Sequence, residues 1–306
     1  MKRRNPDRAL PGHATIDRWL KDADLVIEPR RRQRVDNNKG CGVGPVNRPN
    51  QTWCADFKGE FKLGNGQLCY PLTVTDAHSR YLLGCFALPG TLLKETTLCF
   101  KKLFKTYGVP DCVHTDNGVP FAGSCVGNHS SLSVYWLMLG IKVERSRMGK
   151  PQDNGRHERM HRSLKRDTAR PPRNTMAAQQ RLFNEFQQIF NHERSHEGID
   201  DDVPADRYTP SGKRMPKTIQ TFTYPGYFEV RKVSSNGCIS FGRPSLDVSI
   251  GAAYVGMRIG LQSFDEYKWR VYLGNMELGI LDERRGSLYG YAANIRPPQK
   301  RLRNFG

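Results

Sequence analysis

The residues His114-Thr-Asp-Asn-Gly118 and Lys150-Pro-Gln-Asp-Asn-Gly-Arg-His-Glu-Arg-Met-His-Arg-Ser-Leu-Lys165 decide how the fold is interpreted. The first stretch contains the end of a short apolar run, 111–115, which predicts a β-strand that is followed directly by Asp116. The second stretch predicts a helix that carries Glu158. Together they predict one acid at the end of a strand and another on a later helix.

A third acid, Asp56, lies upstream in Thr52-Trp-Cys-Ala-Asp-Phe-Lys-Gly59, where it interrupts another strand-like run. Carboxylate oxygens are the ligands that Mg²⁺ prefers, and two such ions can hold both sides of a phosphodiester. A helical Glu among Arg and Lys is by itself more often a surface ion pair. Three acids on two strands and a helix, however, predict a site for two Mg²⁺ ions, which Mn²⁺ should be able to replace.

The net charge indicates a polyanionic partner. Lys and Arg outnumber Asp and Glu by 48 to 30, which gives a formal net charge of +18. Neutralised phosphates release counterions and drive association, so we expect double-stranded DNA to bind. Composition alone would also fit a soluble basic protein without such a partner.

The cysteines and the N-terminus indicate the compartment. The eight cysteines are scattered without a Cys-x-x-Cys pair, which favours free thiols in a reducing environment. The basic first residues lead into no hydrophobic stretch, and no apolar run is long enough to span a bilayer. We expect a cytoplasmic protein without a membrane partner.

Composition and periodicity divide the chain into six segments. The predicted segments are a partial helix-turn-helix remnant (1–27), a basic linker (28–50), a catalytic core (51–200), a connector (201–220), a small β-barrel (221–290) and a basic tail (291–306). The first segment contains one amphipathic helix, 13–27, with too few preceding residues for a complete helix-turn-helix domain. Such a helix is more often plain packing than a DNA reader.

Within 51–200, three strands precede alternating helices and strands, which is an α/β pattern of the ribonuclease-H type. The predicted strands are 51–61, 68–75, 81–88, 111–115 and 141–145, and the predicted helices are 92–107, 132–139, 154–165 and 176–192. These elements predict a mixed five-stranded sheet. Short alternating runs at 227–233, 238–241, 258–263, 269–273 and 277–282 predict a small all-β barrel.

Helical spacing divides the predicted helix 154–165 into two faces. Met160 and Leu164 share an apolar face, while Glu158 shares the other face with Asn154, His161 and Lys165. Basic residues around Glu158 and in the linker are candidates for phosphate contacts. The predicted DNA contacts are Arg30, Arg31, Arg32, Arg34, Lys150, Arg156, Arg159, Arg162 and Lys165.

The chain resembles the insertion-sequence transposases whose catalytic core is shared with retroviral integrases, most closely the branch numbered four-eighty-one. The motifs that carry the resemblance are Trp53-Cys-Ala-Asp-Phe-Lys-Gly59, Tyr70-Pro-Leu-Thr-Val-Thr-Asp-Ala-His-Ser-Arg-Tyr-Leu-Leu83, Thr115-Asp-Asn-Gly118, Gly149 to Lys165, and Asn191-His-Glu-Arg-Ser-His-Glu197. The resemblance implies a transposase that cleaves element ends and transfers a 3′-hydroxyl into target DNA. It also implies a homo-oligomer on DNA, with Asp56, Asp116 and Glu158 as the catalytic, metal-binding triad.

The spacing of the last two acids departs from the family pattern. Asp116 and Glu158 are separated by 41 residues, against about thirty-five in the general pattern. We place the surplus in a glycine-rich excursion, 123–131, where a surface loop absorbs extra length cheaply. The assignment of the triad is unaffected.

Two other functions compete with this interpretation. His157-Glu-Arg-Met-His161 matches the H-E-x-x-H motif of zinc metalloproteases, in which both histidines bind zinc. A third ligand has no clear place, Glu185 being the nearest candidate, and a protease leaves Asp56 and Asp116 unexplained. The second alternative is a non-catalytic, DNA-binding derivative of a truncated transposase.

Asp76, in the turn Thr75-Asp-Ala-His-Ser79, is another candidate acid. Aspartate at a turn normally accepts hydrogen bonds from nearby backbone groups. We therefore predict a structural role for it.

Overall fold

The computed structural model describes residues 11–23, 25, 44–146, 155–219, 221–242 and 246–290. The chain divides into a unit over Met1–Gly40 and a larger unit over Cys41–Gly306. Helix α1 (His13–Asp22) belongs to the first unit and is shorter than the predicted 13–27. Residues 26 and 27, the tail 291–306 and most of the predicted linker lie outside the described residues.

The second unit begins with an α/β region whose order agrees with the predicted order of elements. Its strands are β1 (Thr52–Phe57), β2 (Phe61–Lys62), β3 (Leu68–Asp76), β4 (Leu82–Leu88), β5 (Cys112–Thr115) and β6 (Lys142–Arg145). Its helices are α2 (Leu93–Tyr107), α3 (Ser131–Met138), α4 (Gly155–Thr168), α5 (Met176–His192) and the short α6 (Pro204–Arg207).

These strands form one mixed sheet of six strands, not the five predicted. Strand β3 lies between β4 and β1, and β5 and β6 extend the sheet beyond β1. Strands β1, β3 and β4 are antiparallel, whereas β1, β5 and β6 are parallel. The extra strand arises because the run predicted as 51–61 is broken at Gly59, whose φ is +79°. β2 resumes the pairing with β3 after the break.

The sheet is covered on both faces. On one face, Trp53 and Leu72 pack with Phe100 of α2 and Trp136 of α3, and the rings of Phe100 and Trp136 lie 4.6 Å apart. The second face carries α4 and α5. Its buried cluster contains Leu63, Cys69, Leu82, Cys85, Ala87, Met160, Leu164, Phe183, Phe186 and Phe190.

The cysteines behave as small hydrophobic residues. Each cysteine that the structure describes is a free thiol, and Cys54, Cys69, Cys85, Cys99 and Cys112 are buried. Burial raises the pKa of the Cys69 thiol to about 11, so it is protonated at neutral pH. No helix among the described residues is long and apolar enough to cross a membrane.

The chain after α6 forms an all-β region with seven strands. They are β7 (Glu229–Lys232), β8 (Cys238–Phe241), β9 (Leu246–Ser249), β10 (Arg258–Asp265), β11 (Lys268–Leu273), β12 (Met276–Asp282) and β13 (Ser287–Gly290). The sequence analysis missed β9 and β13. The strands form a five-stranded antiparallel sheet and a separate β8–β9 pair around one core. An all-β region is therefore present, but the strand pairs in the described segments do not close a barrel.

The glycine-rich excursion 123–131 is not the free surface loop that we predicted. The Tyr254 hydroxyl donates a hydrogen bond of 2.9 Å to the Val126 carbonyl. Gly251 lies so close to Cys125 that an added Cβ would stand 2.5 Å from its sulfur. Val134 of α3 also belongs to the core of the β-region. The surplus residues between Asp116 and α4 therefore dock the two regions together.

Candidate active site

Asp56 and Asp116 lie side by side at one end of the mixed sheet. Strands β1 and β5 are parallel neighbours, and Ala55 is paired with Thr115. The next residue on each strand is an aspartate, so the two carboxylates leave adjacent strands at the same level. The side chain of Asp56 is 18% exposed, and Asp116 is half-buried. Two partly exposed carboxylates fit a divalent cation in donor type, since Mg²⁺ prefers oxygen ligands.

The backbone around Asp116 holds its carboxylate in place. The Gly118 N–H donates to Asp116 Oδ1 at 3.1 Å. A Cβ at Gly118 would stand 3.1 Å from Asp116 Oδ2, so glycine leaves that oxygen room. The Asn117 side chain donates to the Ser146 carbonyl at 2.8 Å, just after β6. These bonds tie the Asp-Asn-Gly segment to the end of the next strand.

Helix α4 packs against the sheet through a wider buried stripe than we predicted. Met160 and Leu164 are buried as expected, but His157 and His161 are each only 3% exposed. The prediction that His161 lies on the face opposite to the apolar residues is therefore wrong. At 100° per residue, both histidines follow Met160 and Leu164 closely around the helix. Glu158 lies within α4, but its side chain is outside the described part of the structure.

Both histidines contact the hydroxyl of Thr73 on β3. His161 Nε2 lies 2.7 Å from Thr73 Oγ1, and His157 Nε2 lies 3.2 Å from the same oxygen. The other ring nitrogen of His161, Nδ1, lies 3.8 Å from Asp56 Oδ2. Helix α4, which carries Glu158, is thus held next to the strand that carries Asp56.

Burial keeps these histidines neutral. Desolvation lowers the pKa of His157 to about 4 and holds the pKa of His161 well below its usual range. His157, whose ring centroid lies 5.0 Å from that of His161, further lowers the pKa of His161, and His114 further lowers the pKa of His157. At neutral pH each ring therefore has one N–H donor and one acceptor nitrogen.

This arrangement does not resemble a zinc protease site. The Nε2 atoms of His157 and His161 both face Thr73. Glu185, the candidate third ligand, lines a groove beside Thr168. Thr168 lies roughly 16 Å along α4 from His157, at 1.5 Å per residue.

The predicted phosphate contacts of α4 are on its outer side. Arg159, Arg162 and Lys165 are exposed, as a DNA contact would require. The backbone of Arg156 belongs to α4, but its side chain is not described. The remaining candidates, Arg30, Arg31, Arg32, Arg34 and Lys150, lie outside the described residues. Contact with DNA stays a prediction for the whole set.

Asp76 has the surroundings of a structural residue, as predicted from its turn. It is fully buried and accepts hydrogen bonds from the backbone N–H of Asn50 and from both the N–H and the hydroxyl of Ser79, at 2.7 to 2.8 Å.

Thr73 belongs to the site but was not predicted from the sequence. It is fully buried and paired directly with Asp56 in the β1–β3 ladder. One signal was available, because His157 and His161 have the i, i+4 spacing of two side chains on one helix face. A buried face with two histidines requires a polar partner on the opposing strand.

Two family models match the α/β region. Residues 46–151 match a family described as integrase core domain, and residues 139–204 match a second family with the same description.

Solved integrase structures are similar to the chain at low identity. The integrase catalytic core domain of HTLV-2, in a trimeric form in complex with magnesium, is 16% identical, with 53% of this chain and 98% of that chain covered and a TM-score of 0.42. The catalytic core domain of BIV integrase is 21% identical, with 51% of this chain and 92% of that chain covered and a TM-score of 0.38. The intasome of simian T-cell lymphotropic virus in complex with a PP2A regulatory subunit is 13% identical, with 76% of this chain and 78% of that chain covered and a TM-score of 0.41.

At these identities and TM-scores, the assignment depends on the family matches and on the element order of the sheet. The integrase core family implies an enzyme of the polynucleotidyl transferase or nuclease type. Residues 46–204 are thus similar to integrase core domains, and they contain a mixed sheet that is covered by helices on both faces.

Proposed function

We propose that this chain is a DNA transposase that cleaves the ends of a mobile element and joins a 3′-hydroxyl to target DNA. Asp56, Asp116 and Glu158 are its proposed metal ligands. The observation that carries the proposal is the parallel pairing of β1 with β5, because it makes Asp56 and Asp116 neighbours within an integrase core domain. Glu158 is included because His161 of the same helix, α4, lies next to Asp56 on β1.

The three carboxylates would hold divalent cations, with Mg²⁺ as the physiological choice and Mn²⁺ as a substitute. When bound, two such ions supply Lewis-acid stabilisation of the attacking and leaving oxygens of an in-line displacement. The protein's own contribution is to bring like charges together and hold them there. Carboxylates bind a cation only in their deprotonated form, so metal affinity should fall as the pH is lowered.

DNA is the proposed substrate because of charge and exposure. The chain has a formal net charge of +18, and the outer side of α4 presents Arg159, Arg162 and Lys165 to solvent. A basic surface on the helix that carries Glu158 would attract phosphates and orient the DNA backbone without reading sequence. Joining an element end to a target also requires several DNA segments at one site, so we propose that the active form is a homo-oligomer on DNA.

An assay of strand cleavage and joining tests this function. The purified chain is incubated with labelled duplexes that carry the ends of the element, in Mg²⁺, in Mn²⁺ and in EDTA. We expect nicked and joined products only with metal, and none from Glu158→Gln. Asp167→Asn is the matched control, since Asp167 is an exposed acid on the same helix; it should retain wild-type activity.

Other outcomes would point to the alternatives. Tight, stoichiometric zinc that is released by His161→Ala, together with peptidase activity, would replace the transposase with a metalloprotease. Sequence-specific DNA binding without cleavage in either metal would indicate a non-catalytic derivative.

A further inference from the structure

The hydroxyl of Thr73 is the centre of a buried polar cluster next to Asp56. Three polar atoms surround Thr73 Oγ1, namely His161 Nε2 at 2.7 Å, His157 Nε2 at 3.2 Å and the Asp56 backbone carbonyl oxygen at 3.2 Å. Thr73 is fully buried, and each histidine is almost so. Apolar side chains would fill this space without desolvating two imidazole rings, so the choice of polar residues requires a reason.

The position of the single hydroxyl proton determines what His161 offers to Asp56. A hydroxyl has one proton to donate and can accept two hydrogen bonds. If Thr73 donates to the Asp56 carbonyl, His161 must donate from Nε2, and its Nδ1 then presents a lone pair to the Asp56 carboxylate. If Thr73 donates to His161 Nε2, the proton of His161 is on Nδ1 and faces the carboxylate.

One observation favours the second arrangement. His161 Nδ1 lies 3.8 Å from Asp56 Oδ2, where an N–H is attracted to the carboxylate and a lone pair is repelled. His157 then donates from Nε2 to the oxygen of Thr73. The resulting order is His157 to Thr73, Thr73 to His161, and His161 towards Asp56.

We propose that Thr73 and His161 are positioning residues that set the orientation of the Asp56 carboxylate for metal binding. His161 acts on the metal through Asp56 and touches neither metal nor DNA. The same contacts hold α4 against β3, so they also set the distance between Asp56 and the helix that carries Glu158. This inference rests on the proposed function, in which Asp56 is a metal ligand.

Partners of this kind typically change metal affinity or activity by roughly 10–100-fold when they are removed. A purely structural role would instead lower thermal stability and leave the affinity of the folded protein unchanged. Metal affinity therefore separates the two roles.

The experiment measures Mn²⁺ binding by the full chain, from the loss of the free-Mn²⁺ electron paramagnetic resonance signal. Thr73→Val removes the hydroxyl and keeps the shape, and Thr73→Ser restores the hydroxyl. His161→Gln keeps a donor near the Nε2 position but none near Nδ1, whereas His161→Asn keeps a donor near Nδ1. The matched control is Thr168→Val, because Thr168 is buried on the same helix and its hydroxyl donates only to the Leu164 carbonyl, at 2.6 Å.

We expect Thr73→Val and His161→Gln to weaken Mn²⁺ binding about 10-fold or more, and Thr73→Ser and His161→Asn to recover most of that loss. Thr168→Val should bind Mn²⁺ as the wild type does. In cleavage assays the affected variants should lose kcat while their KM for DNA stays the same. If Thr73→Val does not fold, the two His161 variants decide the question alone.

Two failures can be distinguished. If the wild type binds Mn²⁺, Asp116→Asn abolishes binding and all Thr73 and His161 variants bind normally, the positioning role is wrong and the proposed function stands. If Asp116→Asn binds Mn²⁺ as well as the wild type does, the proposed metal site itself is wrong.

Discussion

The two ends of the mixed sheet hold aspartates in opposite surroundings. Asp76 is paired with Trp53 at the start of β1, and Asp56 lies three residues further along the same strand, roughly 10 Å away. Asp76 is fully buried and accepts three hydrogen bonds from neighbouring donors. Asp56 and Asp116 are partly exposed and adjacent. One end uses its carboxylate to stabilise the fold, and the other brings two negative charges together.

This difference shows how similar side chains acquire different roles within one sheet. A carboxylate surrounded by fixed donors has little to gain from a cation, because its charge is already compensated. Two neighbouring carboxylates at a solvent-accessible strand end repel each other and gain most from one. The surroundings of an acid therefore decide between the two roles.

The largest expected effect is on catalysis, from changes at the end of the sheet that holds Asp56 and Asp116. Asp56→Asn and Asp116→Asn should each reduce metal-dependent strand cleavage by at least about 100-fold, because a metal ligand contributes more than its outer partners do. The free energy of unfolding should change by less than about 1 kcal/mol, since asparagine keeps an acceptor oxygen for the Gly118 N–H. Cleavage rates and urea unfolding curves check both parts. Near-normal cleavage by either variant would remove that residue from the site.

At the end of the sheet that holds Asp76, we expect a large loss of stability and little change in cleavage. Asp76→Ala leaves the Asn50 N–H, the Ser79 N–H and the Ser79 hydroxyl without their acceptor. At about 1–3 kcal/mol for each buried unsatisfied group, we expect a loss of at least about 3 kcal/mol in unfolding free energy. Cleavage per folded molecule should stay within about twofold of wild type. Loss of cleavage without loss of stability would make Asp76 part of the active site.

A buried histidine beside the β-region should make the fold sensitive to acid. Desolvation and the nearby Arg145 lower the pKa of His129 to about 4, against about 6.5 in the unfolded chain. The unfolded state therefore binds the proton first, and stability falls as the pH drops from about 6.5 to about 4. The contribution of His129 to this loss should reach about 3 kcal/mol at most, and His157 and His161 should add to it because burial lowers their pKa values as well. Urea unfolding at several pH values checks this. His129→Gln should reduce the slope of unfolding free energy against pH between about 6.5 and 4. An unchanged slope would mean that other groups cause the acid sensitivity.

A smaller effect should come from the hydrogen bonds around Asn50. The Tyr208 hydroxyl donates to Asn50 Oδ1 at 2.9 Å, and its ring stacks on Tyr81 at 4.3 Å. Tyr208→Phe removes only the hydroxyl, and Trp53 Nε1 still donates to the same oxygen. We expect a loss of about 1 kcal/mol in urea unfolding, with cleavage unchanged. A loss of unfolding free energy as large as that of Asp76→Ala would mean that the structure around Asn50 and Asp76 depends on this one hydrogen bond.

The smallest effect on the fold, and a separate effect on DNA, should follow from Arg162→Ala with Lys165→Ala. Both side chains are exposed on α4, so stability should change little. If both contact phosphates, the slope of log K against log salt should flatten by roughly 1–2 units, equally for specific and random duplexes. An unchanged slope would place these side chains in solvent, and loss of end preference alone would mean that they read bases.

The sheet and its helices were predictable because each element has a strong local pattern. Helix α5 was predicted as 176–192 and is Met176–His192, since five large apolar residues recur at helical spacing within it. The adjacency of Asp56 and Asp116 was predictable only in outline, because the parallel pairing of β1 with β5 is a long-range contact that no local pattern reports.

The remaining features depend on tertiary contacts. The burial of His157 and His161 could not be predicted without Thr73, which lies 84 and 88 positions away in the chain. The docking role of the excursion 123–131 was missed because glycine-rich sequence is typical of free loops, whereas here small residues let Gly251 approach Cys125 closely. Strands β9 and β13 were not predicted, although β8, which was predicted, is equally short.

The most direct test of the account is to locate the metal. Crystals of the chain soaked in MnCl₂ would show bound Mn²⁺ by its anomalous scattering. We predict peaks within about 2.1 Å of carboxylate oxygens of both Asp56 and Asp116, the distance expected for a small divalent cation, and none at Asp76. A peak on the nitrogens of His157 and His161, or no peak at Asp56 and Asp116 under saturating Mn²⁺, would contradict the claim that this end of the sheet is the catalytic metal site.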